Sequence, residues 1–146
     1  MLEEGDAALT TRRVSVHYAV CAWAVLFAAP HIWWALGLPY GMPGGKASHQ
    51  LMMTSWWWYA YDVVVILCSI LAVVLSLALL RPTISSRWRR RWRALAWIAF
   101  AMLSLRGVAG LIADGASDPI WWPMFLLGGL LFGALLRWTG KRDAVR

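Results

Sequence analysis

Among the ionisable residues inside long apolar runs of this chain are His31, Asp62 and Arg106. An imidazole and a carboxyl within hydrogen-bond reach of a substrate can pass a proton to it and take one back. A guanidinium beside them can capture a carboxylate or phosphate. His31 lies in the stretch Pro30-His31-Ile32-Trp33-Trp34-Ala35-Leu36-Gly37, so indole faces, which attract positive charge, surround it in sequence. At lipid depth such groups are costly, and they normally face a helix bundle's interior and pair there.

Composition sets what must hold them. The chain has 146 residues, of which 61% are hydrophobic and 14% charged; a soluble domain has about 25% charged residues. Mean hydropathy is +0.59. This is the composition of an integral membrane protein of one compact domain. The net charge of +7 gathers in one loop and the two tails, as the positive-inside rule places it, so nucleic acid is not an expected partner. Cys21 and Cys68 lie in apolar runs without a CxxC motif, which argues against a disulfide framework or a metal site. No cofactor is implied. The first apolar run, Val14 to Leu38, outlasts a signal peptide's apolar region and reads as a retained helix.

The expected architecture is all-α: a polytopic membrane protein built as a four-transmembrane-helix bundle, with N- and C-termini cytoplasmic. Residues 1–13 are expected as a cytoplasmic tail, 14–138 as the transmembrane domain and 139–146 as a second tail. The helices are expected at about 14–38, 56–80, 94–113 and 120–138. In the first, His17, Ala24 and His31 recur every seven residues on one face, with Phe27 and Trp34 flanking His31, and Pro30 is expected to kink the helix. In the second, Asp62, Ser69 and Ser76 repeat the same spacing as a polar stripe that should face the bundle. Arg106 shares its helix face with small residues such as Ala109, Gly110 and Ala113.

Connections and ends fix the expected orientation. Residues 39–55 read as an external loop, in which His49 needs no special role. Residues 81–93 contain six arginines and read as a cytoplasmic loop. Trp88 and Trp92 would anchor it at the interface, and a topological role is preferred there to an anionic-lipid patch. Trp56, Trp57, Trp58, Tyr59, Tyr61, Trp121 and Trp122 form an outer aromatic belt. Gly129 and Gly133 make a GxxxG pair suited to close helix contact and to a homo-oligomer.

Counted from the expected outer ends at 1.5 Å per residue, His31, Asp62 and Arg106 each lie roughly 9–11 Å deep. One layer of the outer leaflet would therefore hold all three. Asp62 and Arg106 are expected to pair, with His31 near them, and the three are the expected catalytic residues. Trp34, Tyr40, Trp58, Tyr59 and Trp122 are expected as walls, and Asp114 as a further substrate contact.

The stretch His31-Ile32-Trp33-Trp34-Ala35-Leu36-Gly37 resembles the H-x-x-W-A-L-G signature of small bacterial membrane proteins grouped as domain of unknown function 3995. Leu105-Arg106-Gly107 with Gly110 and Asp114, and Trp122-Pro123-Met124-Phe125-Leu126-Leu127-Gly128-Gly129, are similar to further parts of that pattern. Together these cover most of the membrane part. The resemblance implies a four-helix protein of the bacterial inner membrane and brings no chemistry with it.

The residues themselves suggest an acid/base enzyme of isomerase or cyclase type, acting on a hydrophobic isoprenoid- or lipid-like substrate. Asp62, alone or with His31, would move the proton, and tryptophan faces would stabilise a cationic intermediate. One alternative is a binding or transport module in which Arg106 and His31 hold a small acid or an anionic headgroup. Another is a structural accessory subunit locked by an Asp–Arg pair. Haem between His17 and His31 is disfavoured, because no other histidine lies in an apolar helix and Met102 would have to supply an axial position. Membrane lipids are the expected surroundings in every case.

Overall fold

The structure is a computed structural model that describes residues 2–38, 40–42, 45–81, 83–113 and 120–143. It is all-helical, with no strand among the described residues. The helices are α1 (Leu2–Ala35), α2 (Gly45–Thr54), α3 (Trp56–Leu80), α4 (Ser86–Ala113) and α5 (Trp121–Asp143). Four stretches are long and apolar enough to cross a membrane: Thr11–Ala35, Trp56–Leu80, Ser86–Ala113 and Trp121–Thr139. Their outward surfaces carry large apolar side chains such as Leu26, Leu67, Ile98 and Leu130. A helix apolar all round is what a lipid-facing bundle requires, so the molecule has the build of a multi-pass membrane protein.

Helix ends differ from the sequence expectation for local reasons. α1 begins at Leu2, so the expected tail is helical backbone continuous with the span. At its other end α1 stops at Ala35 rather than Leu38. Gly37 adopts φ +87°, its N–H donates to the Trp34 carbonyl (2.9 Å), and Leu38 N–H donates to the Trp33 carbonyl (3.2 Å). These paired bonds form a Schellman cap, which needs a left-handed residue and favours glycine there. Pro30 lies inside α1 without ending it. The expected external loop contains α2, whose segment after Gly45 has no proline and is rich in helix formers. α4 starts at Ser86, where Arg89 N–H donates to the Ser85 carbonyl (2.9 Å). Most of the arginine-rich stretch is therefore the first turns of a helix, and the turn before it is short. Arginine is a good helix former, and its long side chains reach solvent from a helix end.

Packing runs in two antiparallel pairs. α1 and α3 meet with His31 opposite Asp62 and His17 opposite Ser76. The residue numbers in each pair sum to 93, so one register runs the length of both helices. Ala24 and Ser69, both buried, fall midway in it. α4 and α5 meet through glycines. A Cβ on Gly107, Gly110 or Gly129 would strike Leu126, Trp122 or Ser104 of the other helix at under 3 Å, and one on Gly133 would press on Phe100. Gly129 and Gly133 thus face α4 within the chain. α1 also lies on α5, where Gly128 accepts the Trp23 ring and Trp23 Nε1 donates to the Met124 carbonyl (3.0 Å). Val20, Trp23, Phe27, Leu75, Leu79 and Phe132 form the centre of the apolar core.

Candidate functional site

His31 and Asp62 form a buried pair between α1 and α3. His31 Nδ1 and Asp62 Oδ1 are 2.6 Å apart, and the residues are 5% and 3% exposed. A carboxylate oxygen accepts, so His31 Nδ1–H is the donor. The bond is short, as expected when a carboxylate is the acceptor. It fixes the ring orientation and leaves Nε2 as the nitrogen at which a proton can come and go. His31 Nε2 and Asp62 Oδ2 are both buried, and neither has a hydrogen-bond partner among the described residues. Leaving a buried polar atom unpaired costs about 1–3 kcal/mol. His17 Nε2, at the other end of the same seam, is likewise buried and without a hydrogen-bond partner among the described residues, so what distinguishes His31 is its carboxylate partner and its ring of aromatic neighbours.

Aromatic rings enclose the imidazole. Ring centroids of Trp34, Phe27, Trp121 and Tyr61 lie 5.0, 5.4, 5.7 and 6.4 Å from it. Trp34 is 4% exposed, and its Nε1 donates to the Tyr40 carbonyl (3.0 Å), which anchors the indole to the turn after α1. Trp34 and Trp121 also contact each other, at 5.2 Å. Phe125 meets Phe27 edge-on one turn deeper. The result is a buried imidazole held by one carboxylate and otherwise enclosed by aromatic rings that meet it edge-on or tilted.

Arg106 stands apart from this pair, which corrects the expected Asp62–Arg106 ion pair. Its guanidinium lies over the Phe125 ring, 5.1 Å from the centroid, and close to Gly110 on its own helix. The reason is the helix pairing. Asp62 faces α1 along the shared register, whereas α4 packs chiefly on α5. Arg106 is also rooted deeper than His31, since its ring partner Phe125 lies one turn below Trp121. Its side chain extends back toward Gly110. Tyr61 is within electrostatic reach of both Asp62 and Arg106.

The expected walls separate into two groups. Trp34 lines the pair. Tyr40 contributes its carbonyl, while its side chain is exposed. Trp58 and Tyr59 are exposed, and Trp58 reaches the pair only through its ring contact with Tyr61 (6.4 Å). Trp122 packs its Cβ against Gly110 of α4. Asp114 lies outside the described residues. Trp121, expected in the outer belt, is a further wall, its ring 5.7 Å from the His31 ring. Its spacing to Phe125, Gly128 and Phe132 is the core-facing repeat of α5, and that spacing was the available signal.

A second polar contact lies at the far end of the same seam. His17 is fully buried. Its Nδ1–H donates to the Ser76 carbonyl (2.7 Å), and Ser76 Oγ donates to the His17 carbonyl (3.1 Å). Arg13 Nη2 donates to the Leu79 and Leu80 carbonyls at 3.4 and 3.5 Å, covering the C-terminal end of α3. No group of three or more metal-ligating side chains occurs among the described residues.

Compared with known protein families, curated proteins and solved structures, the chain matches none.

Proposed function

We propose that the His31–Asp62 pair is the proton-transfer centre of a membrane-embedded enzyme that rearranges a hydrophobic, isoprenoid- or lipid-like alkene. One observation carries this reading: a carboxylate-oriented imidazole whose Nε2 is buried, unpartnered among the described residues and surrounded by aromatic rings. In an isomerisation, His31 Nε2–H would give its proton to one alkene carbon. The cation formed next to it would rest against the Trp34 and Trp121 faces. Loss of a proton from the neighbouring allylic carbon to Nε2 would restore the ring and move the double bond, with no change in oxidation state. Asp62 orients the imidazole and balances its charge when both nitrogens carry protons. A cyclisation would use the same first step.

The motif His31 to Gly37 supports grouping the chain with domain of unknown function 3995, a grouping that adds architecture and no chemistry. The basic end of the bundle supports an orientation with both termini on the cytoplasmic side of a bacterial inner membrane.

A second reading has its own support. His17–Ser76 and His31–Asp62 share one register, so both contacts could serve only to fasten α1 to α3. Binding of an anion jointly by His31 and Arg106 has less support, because the guanidinium is turned to Phe125. Solvent exchange separates the first two readings. Reconstituted protein incubated with polyprenols in D2O should place deuterium at allylic carbons, detected by mass spectrometry. His31→Ala should abolish incorporation. Asp62→Asn should slow it roughly 10²–10⁴-fold, the usual contribution of a positioned acid/base group. Absence of incorporation by the wild type, or equal incorporation by His31→Ala, would count against catalysis at this pair.

A further inference from the structure

The opposite, basic end of the bundle carries a groove that the proton-transfer reading does not use. It is a cavity of about 610 Å³ lined by Arg12 of α1, Phe100 of α4, and Leu130, Gly133, Ala134, Arg137 and Trp138 of α5. Leu130, Gly133, Ala134 and Arg137 follow the three-and-four spacing of one helix face, so the groove runs along the axis of α5. Its floor is apolar and flattened by Gly133 and Ala134. Its mouth holds two guanidinium-bearing residues from different helices. Arg12 and Arg137 are exposed, and neither pairs with a carboxylate among the described residues.

The charges and the floor ask for different parts of one ligand. Two arginines suit a phosphate, because the guanidinium fork matches its oxygens bidentately. A strip of Leu, Gly, Ala and Phe along a membrane-crossing helix suits an acyl chain. Tryptophan favours the boundary between the two. The volume is within the range of small-molecule sites. We propose that this groove is a binding site for an anionic glycerophospholipid, with its phosphate between Arg12 and Arg137 and an acyl chain along Leu130 to Ala134. The inference rests on the membrane-spanning build and is independent of His31 and Asp62.

The test uses the full chain in nanodiscs of equal phosphatidylglycerol and phosphatidylcholine. Lipids that remain on the protein after its release are counted by native mass spectrometry. One arginine near a lipid surface is worth about a fivefold preference for anionic lipid, so the wild type should retain phosphatidylglycerol by roughly tenfold or more. Arg12→Gln with Arg137→Gln should lose that preference. Ala134→Trp, which fills the floor and leaves both arginines, should lower retention of either lipid. Arg87→Gln with Arg90→Gln and Arg91→Gln should keep the preference, since those exposed residues lie outside the groove. Equal retention of the two lipids by the wild type would overturn the proposal. So would a preference that survives the Arg12 and Arg137 changes, or one lost in the Arg87, Arg90 and Arg91 variant. Release of the lipid by millimolar inorganic phosphate, with that phosphate bound in its place, would assign the groove to free phosphate and overturn it equally.

Discussion

Asp62 does two jobs for His31: by accepting a hydrogen bond from Nδ1–H it fixes the ring, and it leaves no unpaired buried donor at that nitrogen. Substitutions should separate these. Asparagine keeps an oxygen at the same reach, whereas alanine leaves the imidazole without an acceptor. Leaving a buried donor without a partner costs about 1–3 kcal/mol. Asp62→Ala should therefore destabilise by that order, and Asp62→Asn by clearly less, as measured by unfolding in detergent with increasing denaturant. Equal losses in the two variants would mean that the hydrogen bond contributes little to stability. Much of this was legible in the sequence at the level of single residues. His31, Asp62 and Trp34 were chosen by type and setting, and all three meet. The partner of Asp62 was not legible. Histidine and arginine are equally plausible by charge, and which one it faces depends on which helix lies beside α3.

At the scale of elements, the two seven-residue stripes were both visible in the chain: His17, Ala24 and His31 on α1, and Asp62, Ser69 and Ser76 on α3. Their opposition was not, because a periodic stripe says which face is buried and nothing about what it is buried against. The glycines show the same limit. Gly129 and Gly133 signal close approach, yet whether to another helix of the chain or to a second copy is a tertiary fact. Gly128 seats the Trp23 ring so closely that an added Cβ would lie 2.3 Å from it. Gly128→Ala should push the indole off its Met124 acceptor and cost about 1–3 kcal/mol, typical of overpacking. Thermal unfolding in detergent would measure it, and an unchanged midpoint would show that α1 and α5 can part without penalty. The boundary of α1 was missed for a local reason. Gly37 closes the helix two residues after Ala35 through the Schellman bonds, and a run of apolar residues hides that stop.

The two ends of the molecule differ in charge. Arg13, the start of α4 and Arg137 share one end with the close of α3, while His31, Asp62 and Trp121 lie toward the other. The arginine-rich segment gave this polarity in the sequence even though its secondary structure was misjudged, because topology depends on where charge lies and not on whether it is helical. Orientation in a cell has a direct check. In a cysteine-free background, Met42→Cys should react with a membrane-impermeant thiol reagent added to intact cells. Thr83→Cys should react only after the cells are opened. The reverse pattern would invert the topology and place the His31 end inward.

The proposed chemistry depends on one hydrogen bond, from His31 Nδ1–H to Asp62, which leaves Nε2 to meet the substrate. Nitrogen-15 NMR of histidine-labelled protein in detergent observes both ring nitrogens. The predicted result is a His31 ring protonated at Nδ1, with the Nδ1–H proton far downfield, as a short bond to a carboxylate gives, and a downfield signal that disappears in Asp62→Ala. A neutral ring protonated at Nε2, or His31 shifts that are the same with and without Asp62, would contradict it.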